Sequence, residues 1–109
     1  MNVKQLAENA NFKIITLPDP EREIDGVYIG DLLSWVMGRA SQDNAWITIM
    51  SNTNVIAVAT LTDVSCIILA EGVTLDSDVL AVANAKGINV LCTDLSAYDA
   101  SKTLCALGA

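Results

Sequence analysis

A chain of 109 residues is long enough for one closed hydrophobic core and too short for two ordinary ones, so we expect a single domain over residues 1–109. The net charge is −7 and the 6 basic residues are scattered, which argues against nucleic acid and membrane partners, because both require a basic patch. Apolar residues make up 52% of the chain and charged residues 17%, so we expect some apolar surface to be covered by a partner.

The chain has no sign of a membrane or secretory segment. No apolar run approaches the roughly 18 residues that a membrane span needs, and the first residues lack the apolar stretch of a signal peptide. The cysteines Cys66, Cys92 and Cys105 are far apart and there is no histidine, so a zinc site would need the uncommon set of three thiolates and a carboxylate. We therefore expect a cytoplasmic protein with free thiols, no bound metal and no cofactor.

The first part of the chain predicts a short helix followed by two strands. Asn2 is a candidate N-cap of that helix, and Phe12–Thr16 reads as the first strand. The two prolines place Leu17–Arg22 in a surface loop, and Ile24–Ile29 returns to extended character. Asp31 is predicted to cap the next helix. That helix buries apolar residues at helical spacing, namely Leu32, Leu33, Val36, Met37 and Ala40.

The rest of the chain alternates regularly between strands and helices. The predicted strands are Trp46–Met50, Ser65–Leu69 and Ile88–Cys92, and the predicted helices are Asn54–Leu61, Asp76–Lys86 and Ser96–Leu107. Strands separated by helices indicate β-α-β units with a parallel sheet, and continuous apolar strand runs are typical of strands covered on both faces. The sequence therefore predicts an α/β domain of three layers, in which a mostly parallel sheet is flanked by helices.

No catalytic machinery is recognisable in the sequence. The chain has no phosphate-binding loop, no dinucleotide fingerprint and no nucleophile elbow, and the commonest general base, histidine, is missing. Asp31, Asp63 and Asp94 follow predicted strands, where open α/β sheets bind ligands, but aspartate is also favoured there simply as a turn or cap residue. We therefore predict no catalytic residues.

The turn Ser51, Asn52, Thr53 and Asn54 is the candidate ligand site. It follows a predicted strand and opens a helix, so its hydroxyl, amide and free N–H groups suit an anion or a sugar edge. The Gly72 loop follows the next strand and is expected at the same edge of the sheet. The alternative is that one of the four turn residues merely caps the helix.

Two features predict an interface. The helix Asn54–Leu61 is apolar on nearly every side, so Val55, Ile56 and Val58 are expected to be buried either centrally in the domain or against another subunit. Trp35 lies about 130° from the apolar stripe of its helix at 100° per residue, which favours an interface or packing under the proline loop.

The successive blocks of the chain resemble the DRTGG domain family. The blocks are Tyr28–Ser34, Trp46–Ile49, Val55–Ala59 and Cys66–Leu69, and with the terminal β-α unit they cover nearly the whole sequence. Matched without gaps, the family's Asp-Arg pair falls on Ser51 and Asn52, and its Thr-Gly-Gly falls on Ala70, Glu71 and Gly72. Gly72 is thus the one signature residue that this chain shares with the family pattern.

The resemblance implies a regulatory or assembly domain. The family occurs alone in small bacterial and archaeal proteins, in phosphate acetyltransferases and between the CBS domains of some inorganic pyrophosphatases, and a similar module opens HPr kinase/phosphorylase. The first hypothesis is accordingly a non-enzymatic prokaryotic domain that acts as a homodimer or with a metabolic enzyme partner. The alternative hypothesis is a sensor of a small ligand, such as a nucleotide or a phosphometabolite.

Overall fold

The computed structural model describes all 109 residues and contains five strands and five helices. In chain order they are α1 (Val3–Ala7), β1 (Lys13–Thr16), β2 (Val27–Ile29), α2 (Leu33–Arg39), β3 (Ala45–Thr48), α3 (Thr53–Thr62), β4 (Cys66–Leu69), α4 (Ser77–Ala85), β5 (Val90–Cys92) and α5 (Ala97–Ala106). No helix combines the length and the apolar character needed to cross a membrane.

The strands form one sheet in the order β1-β5-β4-β3-β2. The four strands from β2 to β5 are parallel to their neighbours, and β1 is antiparallel to β5. The prediction of a mostly parallel sheet is confirmed. β1 and β2 are the two edge strands.

Helices cover both faces of this sheet and make three layers. From β2 to β5 the strand order always advances in the same direction, so right-handed crossovers place α2, α3 and α4 on one face. The opposite face is covered by α1 and α5. The side chains of β4 alternate between two core clusters, one on each face of the sheet. Cys66 and Ile68 belong to the cluster under α1 and α5, and Ile67 and Leu69 belong to the cluster under α2, α3 and α4.

The central strands are buried along their whole length. All four residues of β3 and all four residues of β4 are buried, as their continuous apolar sequences predict. Cys66 is fully buried, and this burial raises the pKa of its thiol to about 12, although the nearby Arg22 guanidinium acts in the opposite direction. Cys92 is only half-buried, although it lies in a strand of the same sheet.

Asparagine and serine side chains begin several of the helices. Asn2 forms a capping box with Gln5 at the start of α1, and the side chain of Ser96 accepts a hydrogen bond from the backbone N–H of Asp99 in α5. The prediction for Asp31 is wrong, because Leu32 is the N-cap of α2 and has no side-chain cap. Asp31 instead accepts hydrogen bonds from the Thr48 hydroxyl and the Ile49 N–H, at 2.8 and 3.0 Å.

A polar network fastens the loops at the amino ends of the strands. Arg22 donates through Nε and Nη2 to one carboxylate oxygen of Asp43, and its Nη2 lies 2.9 Å from a carboxylate oxygen of Asp63. Partial burial lowers the pKa of Arg22, but the hydrogen bonds to Asp43 and Asp63 outweigh this effect and raise it above its ordinary value. Asp43 and Asp63 both have a positive φ, so the network also holds two left-handed turns in place.

Asn89 ties the proline loop to the sheet. Its side chain accepts from the N–H of Asp19 at 2.9 Å, and donates to the carbonyl groups of Asp19 at 2.7 Å and Ser65 at 3.0 Å. Asn89 is 1% exposed, so its side chain lies where water scarcely reaches, although Asp19 itself is exposed. This polar residue within an otherwise apolar run thus provides hydrogen-bond partners for the backbone of the loop that packs over it.

Candidate functional site

The loops after β4 and β5 separate at the carboxyl edge of the sheet. The chain leaves β4 for α4 on one face and leaves β5 for α5 on the other face. Neighbouring parallel strands whose connections leave to opposite faces open a crevice between their carboxyl ends, which is where open α/β sheets bind ligands. The fold therefore predicts a site between β4 and β5.

A cleft of about 250 Å³ lies at this place, and we call it the β4–β5 cleft. Three segments line it: the turn from α1 into β1, the loop after β4 and the loop after β5. The lining residues are Ala10, Asn11, Lys13, Gly72, Thr74, Cys92, Thr93, Asp94 and Leu95. The lining is mostly small and polar, with Lys13 as its one basic and Asp94 as its one acidic residue.

Hydrogen bonds between the two loops hold the walls of the cleft. The N–H of Glu71 donates to the carbonyl group of Leu95, and the N–H of Gly72 donates to that of Thr93, both at 2.9 Å. Gly72 has a φ of +76°, and a Cβ at this position would lie 3.4 Å from a carboxylate oxygen of Asp94. The positive φ favours glycine at this position, and a Cβ here would lie in contact with the Asp94 carboxylate.

Both charged residues of the cleft act on Cys92. Lys13 is the Cα partner of Cys92 in the β1–β5 ladder, and Asp94 follows two residues after Cys92. Burial raises the pKa of the Cys92 thiol, the ammonium group of Lys13 lowers it and the carboxylate of Asp94 raises it, with a net increase. The structure thus brings a cation and an anion, from near the two ends of the chain, to one half-buried thiol.

The structure does not bring the predicted ligand residues together. Gly72 lines the β4–β5 cleft, but none of the four turn residues from Ser51 to Asn54 does. Asn52 is the N-cap of α3, and its side chain accepts a hydrogen bond from the N–H of Asn54 at 3.0 Å. Asn52 is therefore the one of the four turn residues that caps the helix.

Thr53 lines a different depression, a shallow groove of about 360 Å³ between α3 and α4. Its other lining residues are Ile56, Ala57, Thr60, Leu61, Val82 and Lys86. The hydroxyl of Thr60 already donates to the carbonyl group of Ile56 at 2.9 Å, so it is engaged within its own helix. Gly72 and Thr53 thus line two different depressions, and the other three predicted ligand residues line neither.

Three of the predicted interface residues lie inside the chain's own core. Val55, Ile56 and Val58 are 0, 1 and 3% exposed, because α3 lies between α2 and α4 and above the sheet. The reading of this helix as central in the domain is therefore correct, and these three side chains offer almost no surface to a second chain. Leu61 is 70% exposed, and Thr53, Asn54, Ala57 and Thr60 form the rest of the exposed face of α3.

Trp35 is the predicted interface residue that does lie at the surface. Its side chain is 54% exposed, and the guanidinium carbon of Arg39 lies 3.9 Å from the centre of its ring. Ile29, Leu32 and Ile49 are also exposed. Asp31, between Ile29 and Leu32 in the chain, accepts a hydrogen bond from the backbone N–H of Ile49. We call Ile29, Leu32, Trp35 and Ile49 together the Trp35 surface.

No three histidine, cysteine, aspartate or glutamate side chains come together in a group that would hold a metal ion.

Sequence reasoning missed most of the β4–β5 cleft. The signal that would have pointed to it is Asp94 after a predicted strand, combined with the change of face between the last two helices. Lys13 gives no such signal, because only the antiparallel pairing of β1 with β5 brings it there.

The sheet and its two helical layers define a small α/β domain with a crevice at the carboxyl edge of the sheet. The chain belongs to the DRTGG domain family, which matches residues 5–107. No protein of curated function is similar enough to the chain to count as a match.

A solved structure with the same fold is the regulatory region of a Clostridium perfringens pyrophosphatase, comprising CBS and DRTGG domains and complexed with its activator, diadenosine tetraphosphate. The TM-score is 0.65 and the sequence identity 16%, and the match covers 84% of this chain and 40% of that chain. The similarity therefore concerns the fold of one part of the neighbour. The DRTGG domain is a regulatory domain, as the resemblance of the sequence implies.

Proposed function

We propose that this chain is a non-enzymatic regulatory domain of the cytoplasm that acts by association, in the first instance with a second copy of itself. The observation that carries the proposal is the Trp35 surface, which exposes an indole ring and three aliphatic side chains. Tryptophan is among the residues that contribute most to protein interfaces, and apolar patches of this kind mark association sites. A metabolic enzyme is the alternative partner of the same surface.

The position of the Trp35 surface suits a two-fold dimer. β2 is an edge strand of three residues, and Ile29 is its last residue. An unpaired strand edge beside an apolar patch offers both backbone hydrogen bonds and apolar contact to a second copy. A self-complementary patch closes as a dimer, the commonest symmetric assembly of soluble proteins. The net charge of −7 opposes self-association in general, but the charged partner of Trp35 is the cation Arg39.

Sedimentation at micromolar concentration tests this proposal. We expect a mass of about twice 11.5 kDa for the native chain and dissociation for Trp35→Glu. Tyr98→Glu is the matched control, because Tyr98 is also exposed on a helix, at 69%, with the Lys102 ammonium 5.3 Å from its ring centre. A monomeric native chain, or equal dissociation by the two variants, would contradict the proposal. If the native chain is monomeric but binds an enzyme through Trp35, the hetero-association alternative replaces the dimer.

A ligand-sensing role is the second candidate function, and the β4–β5 cleft favours it. The cleft lies at the position where α/β sheets bind ligands, and its walls are joined by backbone hydrogen bonds. The pyrophosphatase region that shares the fold is complexed with a nucleotide activator, which supports a ligand for this domain as well. Amide NMR shifts at Gly72 and Asp94 on addition of a nucleotide, a phosphometabolite or another small molecule would establish this role.

A further inference from the structure

We propose that the β4–β5 cleft binds a small zwitterion, and that a free α-amino acid is the class of ligand that it fits. This inference rests on the ligand-sensing candidate and names its ligand. The observation behind it is that one ammonium group and one carboxylate line a single small cleft together with neutral polar groups. A ligand that carries both charges would pair with each.

Neither charge of the cleft is engaged within the chain. The ion pairs of the protein join the N-terminus to Glu23, and Arg22 to Asp43 and Asp63, and none of them includes Lys13 or Asp94. Lys13 and Asp94 therefore stand more than 4.0 Å apart while lining the same cleft. Both charges are therefore free to pair with a ligand.

The two charges come from opposite sides of β5. Lys13 is the first residue of β1, which pairs with one edge of β5, so its Cα lies across from Cys92. The carboxylate of Asp94 lies near Gly72, which belongs to the loop after β4, the strand on the other edge of β5. A ligand placed over Cys92 would thus present its carboxylate towards β1 and its ammonium group towards the β4 loop.

Neutral groups complete the recognition of a carboxylate. The hydroxyl oxygen of Thr93 accepts a hydrogen bond from the N–H of Leu95 at 3.2 Å, so its hydrogen remains available to donate. Asn11 and Thr74 add an amide and a second hydroxyl to the lining. Ala10 and Leu95 provide apolar contact of the kind that an aliphatic side chain needs.

Size and charge disfavour a phosphorylated ligand in this cleft. Its volume of about 250 Å³ lies below the range of about 300–1,000 Å³ that is usual for drug-sized ligands, and a dinucleotide is larger still. A phosphate dianion would meet one cation and the like charge of Asp94, in a chain that already carries −7. A zwitterion leaves the cleft neutral.

The test is an amide NMR titration of the full chain with a mixture of the common α-amino acids, followed by each member singly. We expect shifts in the three lining segments, residues 10–13, 72–74 and 92–95, and no shifts with amines or carboxylic acids of the same side chains. Lys13→Gln and Asp94→Asn should each weaken binding about tenfold, the effect of one lost charge-assisted hydrogen bond. Lys102→Gln and Asp78→Asn remove the same charges outside the cleft and should leave the affinity unchanged.

The other outcomes separate this inference from the function on which it rests. If inorganic phosphate or diadenosine tetraphosphate shifts the lining segments and no amino acid does, the zwitterion is wrong and the ligand-sensing role stands. If none of these compounds shifts any amide, both are wrong. Equal weakening by the cleft variants and the control variants would also overturn the assignment of Lys13 and Asp94.

Discussion

Replacing Asn89 by alanine tests whether one buried amide fastens the proline loop to the sheet. Asn89→Ala removes three hydrogen bonds, two to the backbone of Asp19 and one to the carbonyl group of Ser65. The side chain is 1% exposed, so water cannot replace it freely at the Ser65 end. The groups of Asp19 lie in a loop and regain water more easily.

The expected loss of stability follows from these contacts. A net contribution of about 1 kcal/mol for each hydrogen bond gives a loss of about 3 kcal/mol in the free energy of unfolding. Small domains unfold with about 5–15 kcal/mol in all, so the variant remains folded at room temperature but melts roughly 10 °C lower. Asn84→Ala is the matched control, because Asn84 is exposed and accepts one hydrogen bond, from the Thr16 hydroxyl.

Urea denaturation followed by circular dichroism measures both variants. The midpoint of Asn89→Ala should fall with an unchanged m value, and Asn84→Ala should lose less than about 1 kcal/mol. A loss in Asn89→Ala no larger than that of its control would refute the reasoning. It would mean that the proline loop is held by its other contacts and that the Asn89 bonds are individually dispensable.

Three further predictions concern single side chains. Asp31→Ala should lose about 2 kcal/mol and Asp31→Asn less, because both bonds of Asp31 go to one carboxylate oxygen that the amide oxygen replaces; equal losses in thermal denaturation would contradict this. Since the pKa of Cys66 is raised in the folded state, the contribution of its thiol to the free energy of unfolding is fully present below about pH 9 and is lost as the pH rises towards about 12. The free energy of unfolding should fall over this range with a slope of up to roughly 1.4 kcal/mol per pH unit. Cys66→Ala should abolish that part of the pH dependence in urea unfolding, and an unchanged profile would disprove it. At neutral pH, thiol labelling of the native chain should modify the exposed Cys105 and leave Cys66 intact.

The sequence alone determined the fold class, because local patterns carry the relevant physics. The continuous apolar run Cys66–Leu69 between two helical patterns can be buried only by helices on both faces, and this predicts a parallel central strand. Boundaries were less predictable. β5 begins at Val90 and not at Ile88, since strand ends depend on which neighbouring residues they pair with. The apolar character of α3 predicted burial correctly but did not distinguish a neighbouring helix from a neighbouring subunit.

The position of the candidate site depends on the tertiary structure. Residues 51–54 and Gly72 both follow parallel strands, and sequence reasoning grouped them for that reason. The change of face occurs after β5, however, so the crevice opens between β4 and β5, and Gly72 is the one residue of this group that lines it. Lys13 reaches the same cleft through the antiparallel pairing of β1 with β5. Periodicity and spacing describe contacts along the chain, whereas the meeting of Lys13 with Asp94 depends on the order of strands in the sheet, which no local pattern encodes.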